Sequence, residues 1–369
     1  MVLLIQTQMQ MICNKEDIEM KFIKLLLVLS VLTLLLVSCG PKETESEVEI
    51  EIETSTEEVQ VTLDPIKVSV PIGPIGDFVK QVGGERVSVN VILPSGASES
   101  NYQPTPKEMN ELAESQIYFS IGMGSEVANI LPNMASLNEN LLIIHLNEVV
   151  DKMYPAMYFE DYEDNHIHDE HEDEHEHEDE HEHEDEHEHE HEDEHEHEDE
   201  DDHEHSHEGR DPHIWMSPKR VVVMIEAIRD ELIKLDSDNA HIYDENAKAY
   251  IQELTALDVQ IQEFMSTVSN RKFIIMHPSL GYFANDYNLE MVAIEEDGKA
   301  TTARRLGEII EFAKENDIKV VFYQQEFDNQ QAKTLADEIG GSTMVFEPLS
   351  TDYLGSLTSL VDVFKAVLK

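Results

Sequence analysis

The chain has 369 residues, 40% of them apolar, enough for two domains of ordinary size with a real core. Its formal charge of −54 excludes a basic nucleic-acid footprint, and roughly thirty of its 79 acidic residues fall between Glu160 and Glu208, so the charge is local. Its two cysteines, Cys13 and Cys39, both precede the expected folded part, which excludes a disulfide framework or a thiolate metal site in the core.

A short basic region, Met20 to Lys24, leads into an apolar run from Leu25 to Val37, too short to span a bilayer comfortably but fitting a secretory signal. The run ends Leu36-Val37-Ser38-Cys39-Gly40, which resembles a bacterial lipobox; Cys39 would then be acylated and anchor the mature chain to a membrane. Residues 1–39 therefore read as signal peptide, with Met20 a candidate start. Residues 40–64, rich in Glu, Thr, Ser and Val, read as a disordered tether.

Beyond the tether the pattern is strand and helix in alternation. Ile66–Val70 and Val87–Leu93 are β-branched runs, separated by helical spacing over Ile75–Val82 that Gly83-Gly84 stops. Pro106–Ser115 reads as a helix, and Gln116–Ile121 and Leu141–Leu146 as strands. Ser217–Leu235 is amphipathic with Ser-Pro at its start, and Ser237–Met265 continues as one or two helices. Strands are then expected at Arg271–Met276, Met291–Ile294, Val320–Tyr323 and Met344–Phe346. Helices are expected at Gly281–Asp286, Arg304–Asn316, Gln330–Ile339 and Tyr353–Leu368. The fold class is α/β: two lobes of parallel-type sheets flanked by helices, with a ligand site where strand-end loops of both lobes meet. The expected division is 65–215 for the first lobe, including an inserted loop at 160–209, then 216–266 for linking helices and 267–369 for the second lobe.

The insertion is almost wholly His, Glu and Asp, and holds fifteen of the nineteen histidines. It cannot bury apolar surface, so it is expected to be a long acidic loop. Imidazoles such as His166, His168, His171, His175, His177, His203, His205 and His207 are weak, reversible ligands for borderline metals, and make the tract an accessory collector of ions. His171–His175 matches the His-Glu-x-x-His pattern of zinc peptidases, as do three further stretches. That motif needs a stable helix beside a buried glutamate, which like-charge repulsion precludes here.

Four motifs lie outside the tract: Leu93 to Pro106 (LPSGASESNYQPTP), Asp211 to Pro218 (DPHIWMSP), Phe273 to Ala284 (FIIMHPSLGYFA) and Val345 to Leu349 (VFEPL) followed by Asp352-Tyr353. On these the chain resembles the zinc- and manganese-binding solute-binding proteins of ABC importers, in the zinc branch, which carries a His-rich acidic loop before the second motif. The resemblance covers Ile66 to Lys369. It implies two α/β lobes joined by a long rigid helix with one metal in the cleft, and ligands at His213, His277 and Glu347. Where members of the family usually have a histidine, this chain has Ser100, so either the site has three protein ligands plus water or a neighbour fills in, Glu99 being the nearest candidate and a histidine of the tract another. An imidazole pair with carboxylates also suits Zn²⁺ on its own chemistry, with affinity expected to weaken below about pH 6.5 as the imidazoles protonate. Tyr102 and Trp215 are expected to pack, and His145 and His241 to be structural.

The implied activity is capture of zinc and delivery to a permease and an ATPase by a monomeric, extracytoplasmic, membrane-anchored lipoprotein, with no catalytic role and no nucleic-acid partner. Mn²⁺ or Fe²⁺ is the alternative cargo, since a more oxygen-rich site favours harder ions. A surface adhesin or zinc-buffering lipoprotein is the alternative of another class. No paired carboxylates, nucleophile elbow or phosphate loop supports an enzyme.

Overall fold

The computed structural model describes residues 64–94, 96–99, 102–160, 209–295, 301–327 and 329–368. Cys39, Ser100 and the histidine tract, with its eight named imidazoles, lie outside the described residues. The first sheet is built from β1 (Ile66–Val70), β2 (Val87–Val91), β3 (Ile117–Ser120) and β4 (Leu142–His145). The second comes from β5 (Lys272–Ile275), β6 (Glu290–Ala293), β7 (Val320–Gln324) and β8 (Ser342–Phe346). Both are wholly parallel and share one order, β2-β1-β3-β4 and β6-β5-β7-β8. In each sheet the third strand in sequence is added on the other side of the first from the second, so a crevice opens at the carboxyl ends between β1 and β3 and between β5 and β7.

Helices α1 (Gly73–Gly83), α2 (Pro106–Ala113), α3 (Leu131–Leu137) and α4 (Leu146–Asp151) accompany the first sheet. Thr105 and Glu108 form a reciprocal capping box that starts α2, with Pro106 supplying its fixed φ. Two stretches that apolar periodicity does not reveal are helical. Glu126–Ile130 is a π-turn running into α3, and α4 begins at Leu146, which the sequence pattern assigns to the preceding strand. Glu126 explains the first: it is fully buried, and its carboxylate accepts hydrogen bonds from the backbone N–H of Ile121 and Met123 and from the Tyr118 hydroxyl. A polar side chain therefore sits on the inward face of a helix that a hydrophobicity pattern reads as loop.

Burial raises the Glu126 carboxyl above its ordinary value, against the hydrogen bonds from Tyr118, Met123, Ser120 and Ile121 that oppose the rise. A group whose folded pKa is raised stabilises the fold below its unfolded value, and that contribution is lost as pH rises through the folded one. Glu126→Gln keeps the acceptor for the two backbone groups and removes the titration. We expect the stability advantage of the wild type over this variant to shrink as pH rises above the ordinary glutamate value of about 4.3 in urea denaturation. A constant difference would show that Glu126 does not titrate in this range.

Helices α5 (Pro218–Leu235) and α6 (Ala240–Met265) join the sheets as an antiparallel pair. With 26 residues, α6 is about 39 Å long. It buries Tyr243, Ala247, Tyr250, Leu254, Leu257, Ile261 and Met265, one stripe at steps of three or four. That stripe packs on α1 of the first sheet and on α10 (Tyr353–Val367) of the second. Helices α7 (Gly281–Asp286), α8 (Ala303–Glu315) and α9 (Gln330–Glu338) complete the second sheet's covering. One apolar core runs without a break from Val70 and Phe78 through Trp215 and Tyr250 to Phe273, Phe283 and Phe364.

Polar contacts add to this core where the lobes meet. Ser217 precedes α5 but does not cap it; its hydroxyl donates to Asp286 at 2.6 Å. Arg220, 1% exposed, donates Nε and Nη2 to the same carboxylate and Nη1 to the Pro155 carbonyl, and lies over the rings of Tyr282 and Tyr154. The Trp215 indole donates to the Pro348 carbonyl at 2.9 Å. At Gly73 a Cβ would stand 2.4 Å from the Leu349 carbonyl oxygen, so the start of α1 and the loop after β8 approach too closely for any other residue.

Candidate metal centre

The site lies at the carboxyl ends of the strands. Glu99 comes from the loop after β2, His213 from the segment entering α5, and His277 from the turn after β5. All three are buried, at 2%, 1% and 4% exposure. One ligand atom from each lies within 4.8 Å of the others, the one such His/Cys/Asp/Glu grouping among the described residues. Glu99 Oε1 is 3.3 Å from His213 Nε2 and 3.9 Å from His277 Nε2. Tetrahedral zinc with bonds of about 2.0–2.1 Å needs donors about 3.3 Å apart, so the first pair already has the required spacing and the second is within a few tenths of an ångström of it.

Each imidazole is fixed from behind. The Asp211 carboxylate contacts His213 Nδ1 at 2.6 Å and also accepts from the His213 backbone N–H, and Glu295 contacts His277 Nδ1 at 3.1 Å. A carboxylate on Nδ1 selects the tautomer that turns Nε2 toward an ion and raises its basicity. The His213 Nε2 has Glu99 as partner, whereas His277 Nε2 and Glu99 Oε2 are sealed from water without any hydrogen-bond partner. Orphaned buried polar atoms on converging side chains are what a bound cation would satisfy.

Burial alone pushes His213 down, but the charge and hydrogen bond of Asp211, and then those of Glu99, raise it to about 9. Burial likewise opposes the charge of Glu99, while the His213 hydrogen bond and the charges of both histidines bring its carboxyl below the ordinary range. The His213 imidazole thus holds its proton to a higher pH than the unperturbed value of about 6.5 expected from the sequence.

Glu347 is not in the group: it is exposed, and its carbonyl accepts from the Ser356 hydroxyl. Trp215 and Tyr102 pack, His145 ends β4, and His241 is on an exposed helix position. Sequence reasoning did not assign Asp211, Glu295 or Phe327. Asp211 stood inside a quoted motif two residues before His213, which was signal enough. Phe327 stacks on His277 at 4.6 Å and is 50 residues away in sequence, with no local pattern to mark it. The neck of the histidine insertion is adjacent. Tyr158 bridges Arg210, Asp211 N donates to the Met157 carbonyl, and Arg210 makes a two-pronged ion pair with Asp151.

Two parallel α/β lobes packed on a paired-helix spine, with strand-end loops converging on one buried site, define a two-lobed solute-binding protein. The family described as zinc-uptake complex component A, periplasmic (ZnuA), matches residues 68–367, and the chain belongs to that family. A crystal structure of ZnuA superposes with a TM-score of 0.66 at 27% identity, covering 82% of this chain and 99% of that one. The high-affinity zinc uptake system protein ZnuA of Bacillus subtilis is 27% identical over 309 residues, 82% of this chain and 85% of that protein. The zinc-binding lipoprotein AdcA of Streptococcus pneumoniae is 27% identical over 282 residues, 75% of this chain and 49% of AdcA, so the chain matches about half the length of that relative. The periplasmic zinc-binding protein TroA of Treponema pallidum shares the fold, with a TM-score of 0.64 at 16% identity.

Proposed function

We propose that the chain binds one Zn²⁺ ion between Glu99, His213 and His277 and delivers it to the permease and ATPase of an ABC importer. The observation that carries this reading is the burial of three ligand atoms from three separate segments within 4.8 Å, two of the residues offering unpartnered atoms to the space between them. The printed zinc-binding and zinc-uptake names of ZnuA and AdcA relatives support the same cargo. Zinc is substrate here and no bond is made or broken, so the family's solute-binding role, rather than catalysis, is the reading. Acylation of Cys39 would hold the protein outside the cytoplasm at a membrane, in keeping with the lipoprotein name of AdcA. The histidine tract would gather ions beside the cleft. The lobes at 65–215 and 267–369, with the helices of 216–266 between them, would form its two walls.

Manganese or iron(II) is a second reading with an observation behind it: the Glu99 carboxylate makes the site richer in oxygen than an all-imidazole one. The test is calorimetric titration of the chain lacking Asn165 to Glu208, first with Zn²⁺ and then with Mn²⁺. One tight Zn²⁺ site and weaker Mn²⁺ binding is the expected result. Tight Mn²⁺ with weak Zn²⁺ would transfer the reading to the harder ion, and no tight site for either would end it.

A further inference from the structure

The neck of the histidine insertion is also the backing of the metal centre. We propose that the ion pair of Arg210 with Asp151 is a positioning clasp for His213, which acts through Asp211 and tunes the affinity of the cleft without touching the ion. This rests on the cation-binding reading above and adds no ligand to it.

The anchor comes first. The Arg210 guanidinium donates Nη1 and Nη2 to the two carboxylate oxygens of Asp151 at 2.6 and 2.8 Å, and its side chain is 6% exposed. A two-pronged pair fixes direction as well as distance, which a single ammonium does not. Asp151 is the last residue of α4, where the helix's own partial charge disfavours a carboxylate and the guanidinium compensates it. Helix α4 buries Leu146, Asn147 and Val150 and packs on α5 and β3, so the clasp ties the neck to a firm part of the first lobe.

The link to the histidine comes second. Asp211 follows Arg210 and is fully buried. Its backbone N–H donates to the Met157 carbonyl at 2.9 Å, and its carbonyl accepts from the Tyr282 hydroxyl at 3.0 Å. The Met157 N–H donates to that same hydroxyl at 3.1 Å. The neck is thus gripped from the second lobe at the residue whose carboxylate holds the His213 backbone N–H at 2.8 Å and Nδ1 at 2.6 Å. Hydrogen bonds this short weaken when the partners part by a few tenths of an ångström, so the aim of His213 Nε2 depends on where Asp211 is held. The neck itself has little pairing to hold it: Tyr158 and Arg210 form one isolated bridge, and so short a ribbon is marginal on its own. The Arg210 side chain supplies the missing fixity one peptide bond from Asp211.

The experiment measures Zn²⁺ affinity of the full chain by chelator competition. Visible absorption of the Co²⁺-loaded protein and thermal unfolding of the metal-free protein are recorded beside it. The variants are Arg210→Ala, Arg210→Lys, Asp151→Asn, Asp211→Asn, and Arg210→Ala combined with Asp211→Asn. Asp211→Asn is expected to weaken binding about 10- to 100-fold, as loss of a group behind a metal-ligating histidine does. Arg210→Ala, one step further from the ion, is expected to weaken it about fivefold and to shift the Co²⁺ bands. Arg210→Lys should restore part of the loss, since one charged hydrogen bond to Asp151 remains. Asp151→Asn, at a side chain 29% exposed, should reproduce the effect of Arg210→Ala with little cost to folding, and carries the test if Arg210→Ala does not fold. In the Asp211→Asn background, Arg210→Ala should weaken binding no further. A lower unfolding temperature with unchanged affinity and bands, or an equal loss of affinity in both backgrounds, would overturn the clasp and leave the zinc site standing. A wild type that binds no Zn²⁺ would overturn the cation-binding reading itself.

Discussion

Replacing His213 with alanine is expected to weaken Zn²⁺ binding about 10²- to 10³-fold, and His277→Ala to do the same. Structural zinc sites bind with about 10–16 kcal/mol shared among four ligands, so one donor carries about 2.5–4 kcal/mol, and each 1.4 kcal/mol is a factor of ten. The two losses should not add in a double variant, because a site that keeps only carboxylates no longer binds as a unit. Competition titration against a chromophoric chelator measures all three affinities. If either single variant kept wild-type affinity, that histidine would be a packing residue and the candidate site would lose its central member. A check on fold is available in the same samples: His213 has ring neighbours in Trp215 and Phe159, and the far-ultraviolet spectrum should be unchanged.

The second large effect is at Arg220. Its guanidinium is 1% exposed and pairs with Asp286, itself 6% exposed at the side chain, across the junction between α5 and α7. Removing one partner of a buried pair costs about 3–5 kcal/mol when the other charge is left bare. Asp286 keeps the Ser217 hydroxyl at 2.6 Å and the Lys219 ammonium at 3.5 Å, so Arg220→Ala should lower stability toward the low end of that range in denaturant unfolding. It also strips a cation from between the rings of Tyr282 and Tyr154. Arg220→Ala combined with Asp286→Asn should recover part of the loss, because the buried carboxylate that has lost its guanidinium is then neutral. Equal destabilisation in the single and double variants would place the cost in lost packing rather than in the unpaired charge.

The α/β alternation was legible in the sequence because its strands are short β-branched runs and its long helices carry apolar stripes. Five of the seven inward positions of α6, from Tyr243 to Leu257, follow from the apolar spacing of the sequence. The Glu126–Leu137 stretch was not legible, since a buried carboxylate and a proline at position 132 mask its inward face. His213 and His277 were marked by motif context, and Glu99 by being next to Ser100. The geometry around them is long-range: Glu295 reaches His277 from the end of β6 and Phe327 from beyond β7. Such contacts follow from strand order and register, which a linear pattern does not carry.

The core that runs through both lobes bears on how cargo leaves. Proteins that swing open on a hinge separate their halves at a thin, wet neck; here that movement would have to peel Trp215, Phe78 and the α6 stripe from their neighbours. Exposing apolar surface costs about 25 cal/mol for each square ångström, so parting even a few such side chains is a rare event on the timescale of transport. On the proposed reading, escape of a bound ion would be governed by small excursions of the strand-end loops, and a docking partner would speed release by gripping those loops alone.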